Sequence, residues 1–317
     1  MFEIGDQVDG YTIDHFLGGG SSADVFAAHQ RDQTGLVALK VLHAKVYDRA
    51  RLEERFDREF TIARMLEHPH IVRVHSRGRT APPVTDTESA SREVRWMTMQ
   101  YVAGAPATIL VPARGEEPDV ATVLAVAGQI ADALDYAHDA DVIHRDVKPA
   151  NILTTITDIH DGHAPPQDPV RAYLSDFGIA QLLDDTRPLA RNGRVQGSIA
   201  YAAPELLQAQ RLSAATDQYA LACSLVEFLT GEPPYPRATP FAITYAHIND
   251  DPPKPSRRRR WLPSGVDSIV AKALAKDPAA RYDSCGEFVA LITRMMRDVP
   301  VPDHPRHRRF GLRRAGR

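Results

Sequence analysis

Between Val142 and Leu153 the chain reads VIHRDVKPANIL, in which two apolar pairs bracket His144, Arg145, Asp146, Lys148 and Asn151. Polar groups set between buried segments are costly unless they are used. This stretch offers a carboxylate, an ammonium and an amide close together, and a second carboxylate, Asp176 of SDFG, follows the short apolar run Ala172–Leu174. Mg²⁺ binds through one or two protein oxygens plus phosphate oxygens, and Asn151 with Asp176 would supply that pair. Asp146 is then left to orient a hydroxyl and accept its proton, while Lys148 neutralises charge on a phosphoryl group in transit.

Upstream lies LGGGSSADV, Leu17 to Val25. A strand, a glycine-rich turn and a returning strand bring backbone N–H groups over phosphates with no side chain in the way. A plain flexible hairpin is the commoner explanation of such a motif taken alone. In VALK, alternation puts Lys40 on the strand face of Ala38, opposite Val37 and Leu39. A solvent-facing lysine would be ordinary there. However, residues 48–67 carry a helical stripe of Leu52, Phe56, Glu59, Ala63 and Leu66. The one acid in that apolar stripe needs a cation, and Lys40 would supply it.

These groups need elements to hold them. Tyr11–Leu17, Ala23–His29 and Leu36–Leu42 read as an antiparallel meander, and Val94–Val102 as a further strand. Val123, Ala127, Ile130, Leu134 and Ala137 mark a helix leading into VIHRDVKPANIL, and DQYALACSLVEFLTG is apolar on nearly all sides, as befits a helix at the centre of a domain, ended by Gly231. The first hundred residues are thus strand-rich and the remainder helix-rich. With 317 residues, 43% of them hydrophobic and 25% charged, the composition is that of a soluble globular protein able to bury roughly 75% of its unfolded surface. A net charge of −3 speaks against a nucleic-acid binder. Two cysteines, Cys223 and Cys285, exclude a disulfide framework, show no metal-site spacing and suit a reducing cytoplasm. The N-terminus lacks the features of a signal peptide, and no run of about 18 apolar residues occurs.

Taken in order, LGGGSSADV, VALK, DREF with Glu59, HPHIV, HRDVKPAN, DFG, AAPE and TDQYALACSLVEFLTGEPPY resemble the motif series of the protein-kinase superfamily, specifically the eukaryotic-like Ser/Thr protein kinases of bacteria. The resemblance spans residues 8–295. It implies a bilobal α+β fold: an antiparallel-sheet N-lobe with one main helix over 8–102, a mainly helical C-lobe over 103–295, then a basic, disordered tail over 296–317. It further implies that Leu17, Gly18 and Gly20 line the nucleotide, the glycines over its phosphates. Lys40 contacts the α and β phosphates and pairs with Glu59, Asp146 is the base or orienter, Lys148 touches the γ phosphate, and Asn151 and Asp176 hold Mg²⁺. Val25, Ala38 and Leu153 sandwich the adenine, with Met99 behind it and the backbone of Gln100 and Val102 at the hinge. Asp217 braces the catalytic loop and Glu205 pairs with Arg281; a helix cap and a surface ion pair are the competing structural roles.

The implied activity is ATP-dependent phosphorylation of Ser/Thr hydroxyls on proteins, autophosphorylation included, with Mg²⁺ as the cofactor ion and Mn²⁺ as its substitute. A scaffold that keeps the fold without the chemistry is the alternative, disfavoured by the complete catalytic set. No nucleic-acid partner is expected. A homodimer stays open, as does weak contact of the tail with an anionic membrane or an acidic partner.

The chain also departs from the family pattern. Ala23 replaces the third glycine, so the loop gains a methyl group and loses easy access to positive φ, at a modest expected cost in nucleotide affinity. Residues Thr155–Val170 form a long insertion whose His160, His163, Asp158 and Asp161 could ligate a metal, although its Pro-rich composition reads as a solvated loop. Arg257–Arg260 reads as a solvent-facing connection, and Arg306, Arg308, Arg309, Arg313, Arg314 and Arg317 as the basic tail. Between DFG and APE the hydroxyls are Thr186, Ser198 and Tyr201, with Ser198 at the position of a structural threonine. Relatives place regulatory threonines where this chain has Ala190, Arg191, Asn192 and Gly193. Phosphorylation of Thr186 from an unusual position is the alternative, but the favoured expectation is activity largely independent of activation-segment phosphorylation, with Arg145 held by Asp184 or Asp185 as a fixed carboxylate or left solvated.

Overall fold

A computed structural model of the chain describes residues 2–20, 23–31, 35–43, 49–81, 93–156, 169–177, 181–182, 199–300 and 302. Its N-terminal part is a sheet of β1 (Gln7–Val8), β2 (Tyr11–Gly19), β3 (Ala23–Gln30), β4 (Leu36–Leu42), β5 (Val74–Thr80) and β6 (Val94–Gln100), crossed by helix α1 (Arg49–Met65). The strand order is β1-β2-β3-β4-β6-β5, with neighbours antiparallel. Two irregularities in the β2–β3 pairing, at Ile13/His15 and Phe16/Gly18, bend the hairpin on its way to the glycine-rich turn.

Register divides the sheet into two faces. Val25 lies opposite Lys40 and Lys40 opposite Met97, while Ala27 lies opposite Ala38 and Ala38 opposite Met99. Because residues paired across strands share a face, these six form one surface. The other surface carries Val8, Ile13, Phe26, Ala28, Leu39, Val41, Val94 and Trp96, a separate hydrophobic cluster on the side away from Lys40. The alternation expected at VALK is therefore present. Strand β5 had no such signal: VHSRGRT lacks an apolar alternation, and it is held as an edge strand by its ladder to β6 and by the Trp96 indole, which occupies the space a Cβ on Gly78 would need.

The second part contains β7 (Ala105–Pro106), α2 (Val120–Asp139), β8 (Val142–Ile143), β9 (Ile152–Thr154), β10 (Ala172–Leu174), β11 (Gln181–Leu182), α3 (Pro204–Leu207), α4 (Ala214–Thr230), α5 (Pro240–Asn249), α6 (Pro255–Arg258), α7 (Ser264–Ala273) and α8 (Cys285–Met296). Helix α4 is buried on nearly every side, with Tyr219, Leu221, Leu225 and Phe228 in the main core, and it stops at Gly231, whose φ of 84° closes the left-handed cap. A Cβ there would also meet the Pro112 carbonyl at 2.8 Å. Helix α2, capped by Asp119, packs against α4 and α8. Among the described residues it alone is long and apolar enough to cross a membrane, and here Val123, Ile130 and Leu134 are fully buried in the core.

The two parts are stitched together by the segment after α1. Val72 N–H donates to Leu174 O at 2.9 Å and Leu174 N–H to His70 O at 2.8 Å, so HPHIV runs beside β10. The expectation that Arg257–Arg260 face solvent fails for the middle of the run. Arg258 is half-buried and donates to the carbonyls of Glu232, Pro233 and Pro234, pinning the turn after α4, while Arg259 pairs with Glu117 at 3.3 Å. A guanidinium with five donors can satisfy converging backbone carbonyls in a way local sequence does not announce.

Candidate active site

The catalytic-loop candidates sit between β8 and β9. Arg145 there adopts φ 71°, a left-handed conformation that costs a non-glycine residue about 1–3 kcal/mol unless its surroundings enforce it. Asp217, fully buried near the start of α4, does the enforcing: its Oδ2 accepts His144 N–H at 2.8 Å and its Oδ1 accepts Arg145 N–H at 2.7 Å. His138 Nε2 adds a third bond, to Oδ2 at 2.8 Å. Burial works to raise the Asp217 carboxyl, but the His138 hydrogen bond and charge, His144 and the Arg145 amide together hold it below the usual range. Its contacts are across the loop, so the alternative of a helix cap does not describe it.

His144 turns the loop toward Asp176. Asp146 N–H donates to His144 Nδ1 at 3.2 Å, which leaves Nε2 to carry the proton toward the Ser175 carbonyl, 3.0 Å away. Its ring meets Phe177 edge-on at 4.6 Å. Beyond it, Asp146 Oδ2 accepts from Lys148 Nζ at 2.6 Å and from Asn151 Nδ2 at 2.9 Å, while the other Asn151 amide contact goes to Asp146 O at 2.8 Å. Ser175 closes the circle with both its N–H and its Oγ on Asn151 O at 2.9 Å. Asp146, Lys148 and Asn151 are therefore brought together, and Asn151 is tied to the residue before Asp176.

Asp176 also has a positive φ, 66°, two residues past β10. Lys40 Nζ lies 3.2 Å from its Oδ1 across 136 residues of chain. The Lys40 ammonium holds the Asp176 carboxyl down to about 2, against the opposing effect of burial. Half of that side-chain surface remains accessible, so the ion pair and not burial sets the shift. Glu59 is carried by α1, but its side chain lies outside the described residues, and the expected Lys40–Glu59 pair with it.

The remaining nucleotide candidates lie on several elements. Val25, Ala38 and Met99 share the sheet face of Lys40; Leu17, Gly18 and Gly20 lie along and just beyond β2; Leu153 is the middle of β9, opposite Tyr173 and Pro106; and Gln100 ends β6, its N–H on Arg73 O at 2.7 Å, two residues before Val102. Ala23 lies within β3 opposite Leu42, in extended backbone, so the glycine conformation it was expected to forfeit is not used. Sequence reading passed over Gly104: a Cβ there would stand 1.9 Å from Thr154 O, so only glycine lets the chain after Val102 press onto β9. It also passed over His138 and Ser175, whose roles depend on partners distant in sequence.

The Glu205–Arg281 pair is present and buried, bidentate at 2.7 and 2.8 Å, with Thr216 Oγ1 on Glu205 at 3.0 Å and Arg281 also donating to Ala215 O. It is thus no surface ion pair. Tyr201 donates its hydroxyl to Glu227 at 2.6 Å. Cys285 approaches Asp135 and His138. That carboxylate already accepts the amides of Cys285 and Gly286 at 2.8 Å, His138 is bonded to Asp217, and burial pushes the thiol well up, so the trio is a helix-end contact. The insertion histidines and aspartates at 158–163, the segment with Asp184, Asp185, Thr186 and Ser198, and the arginine tail lie outside the described residues.

A curled antiparallel sheet over a helical lobe, with a lysine, two aspartates and an asparagine gathered between them, defines a class of phosphotransferase. The chain belongs to the protein kinase domain family, which it matches over residues 11–290, and within it to the Ser/Thr kinases of the bacterial type. It is 38% identical to the serine/threonine-protein kinase PknJ of Mycobacterium tuberculosis, covering 90% of this chain and 45% of PknJ. To PknF of the same organism it is 36% identical over 95% of this chain and 60% of the relative. The crystal structure of the Mycobacterium tuberculosis PknI kinase domain superposes with a TM-score of 0.67 at 31% identity, covering 93% of this chain and 100% of that one. The chain spans about half the length of the curated relatives it matches.

Proposed function

We propose that this chain transfers the γ-phosphoryl group of ATP to Ser/Thr hydroxyls of protein substrates, with residues 8–295 as the working domain. The observation that carries the reading is the convergence of Lys148 and Asn151 on Oδ2 of Asp146. Both contacts fall on one oxygen, so Oδ1 is the atom to orient the substrate hydroxyl and receive its proton. Lys148, held beside it, neutralises charge on the transferring group. Lys40 secures the α and β phosphates, Gly18 and Gly20 cover them, and Val25, Ala38 and Leu153 enclose the adenine before Met99, with the hinge backbone at Gln100 and Val102.

The donor set suits a hard divalent cation. Asn151 spends its amide hydrogens on Asp146, leaving its carbonyl oxygen for a ligand, and Lys40 keeps Asp176 ionised. When bound, Mg²⁺, or Mn²⁺ in its place, supplies charge neutralisation on the phosphates. The test is incubation of purified chain with labelled ATP and Mg²⁺ on a generic Ser/Thr substrate, with Asp146→Asn alongside. Phosphoserine or phosphothreonine formed by wild type and lost in the variant supports the reading; nucleotide binding without transfer in wild type refutes it and makes the chain a scaffold.

A further inference from the structure

Helix α1 is fastened by two different means along its length. Toward its C-terminal end Ile62, Ala63 and Leu66, just past the helix, enter the main core. Among the described side chains of its first half, Phe56 is the one buried apolar group. That half is instead gripped by charge. Arg95 of β6 pairs through Nη2 with Glu53 at 3.0 Å and through Nη1 with Asp57. Arg77 of β5 adds a 3.0 Å contact to Asp57 and lies over the Phe60 ring at 4.6 Å.

The placement of Arg95 is informative. It is two residues before Met97, which lies opposite Lys40, so Arg95 and Lys40 occupy the same face of the sheet. Helix α1 sets Glu53 and Asp57 against this face, where Arg95 and Arg77 hold them. Glu53 and Asp57 are one turn apart, roughly 6 Å along the axis. A single guanidinium holding both fixes the helix in rotation and in axial position at once, which one point contact cannot do. Position 59 lies between this grip and the apolar anchor at Ile62–Leu66.

We infer that Arg95 is a positioning residue for phosphoryl transfer, locking the first half of α1 in the register that brings Glu59 to Lys40 and keeps Glu53 and Asp57 away from it. The inference rests on the Lys40–Glu59 reading above. Lysine at position 95 keeps the charge but lacks the rigid planar fork that holds two carboxylates in one geometry.

The experiment is a double-mutant cycle: kcat and the KM for ATP of wild type, Arg95→Lys, Glu59→Gln and the double variant, with thermal midpoints measured in parallel. Arg95→Lys should lower kcat about tenfold in wild type with little change in midpoint, and should cost nothing further once Glu59 is glutamine, because neighbours acting through one contact are not additive. Asp57→Asn, which loosens one arm while Glu53 keeps Arg95, should show the same pattern at smaller amplitude and serves if Arg95→Lys fails to fold. An equal loss in both backgrounds, or no loss in wild type, overturns the positioning role while leaving Glu59 in place. A Glu59→Gln enzyme as active as wild type overturns both readings.

Discussion

At the scale of single residues, Asp217 and Lys40 show how one charge organises several neighbours. Asp217 uses both oxygens on the amides of His144 and Arg145, the latter in a left-handed conformation. In Asp217→Asn one amide N–H of the loop faces a donor and is left buried without a partner, at about 1–3 kcal/mol. We expect a denaturation midpoint lowered accordingly and kcat reduced with it; an unchanged midpoint and rate would contradict the bracing role. Lys40 is different, because methionine matches its volume and the side chain is only 16% exposed. Lys40→Met should keep the fold, lose about 10²–10³ in transfer rate as one preorganised electrostatic contact disappears, and let the Asp176 pKa climb back from about 2. Steady-state rates and a nucleotide titration against pH measure both effects.

At the scale of elements, the connection after β6 is pressed against β9 beside the residues proposed to enclose the adenine. Gly104 touches Thr154 O of β9, two residues past Val102 and one past Leu153. Thr154 is itself committed, its Oγ1 donating to Ala105 O at 2.9 Å, so a retreat of β9 would strain that bond. Gly104→Ala should cost about 1–3 kcal/mol through overpacking and weaken ATP binding by moving Val102 relative to Leu153. Thermal unfolding together with calorimetric ATP titration checks this, and wild-type values in both would show the contact to be soft.

At the scale of the whole molecule, His247 joins three regions distant in the chain. Fully buried on α5, it donates Nε2–H to Ala200 O at 3.1 Å and accepts the Tyr219 hydroxyl of α4 at Nδ1, 2.9 Å away, while Lys276 binds its carbonyl at 2.7 Å. Burial first, and the Lys276 charge second, lower its pKa from 6.5 to about 4. Between those values the unfolded chain takes up a proton that the folded chain refuses. Stability is therefore lost as pH falls from 6.5 toward 4, by about 3 kcal/mol in all, and this group adds no change above 6.5. Urea midpoints across that window should slope downward in wild type and flatten in His247→Gln; parallel slopes would place the acid sensitivity elsewhere.

The residues proposed to carry the chemistry could be nominated from the chain itself, because HRDVKPAN, VALK and DFG set reactive residue types at short spacings beside apolar runs, a pattern readable without the fold. The meander, α2, the buried α4 and its stop at Gly231 followed from periodicity and backbone preference for the same reason. Strand β5 did not, since its polar sequence is recruited by a ladder to β6 and by Trp96. Nor did Arg258, which looks solvent-facing until three carbonyls surround it, or Gly104, whose need for glycine arises from β9. The Asp217 brace, the Lys40–Asp176 pair and the Arg95 grip likewise join residues 38 to 136 positions apart. Local composition can nominate a charged or small residue, but which buried partner satisfies it depends on the packing of whole elements, and only the tertiary structure decides that.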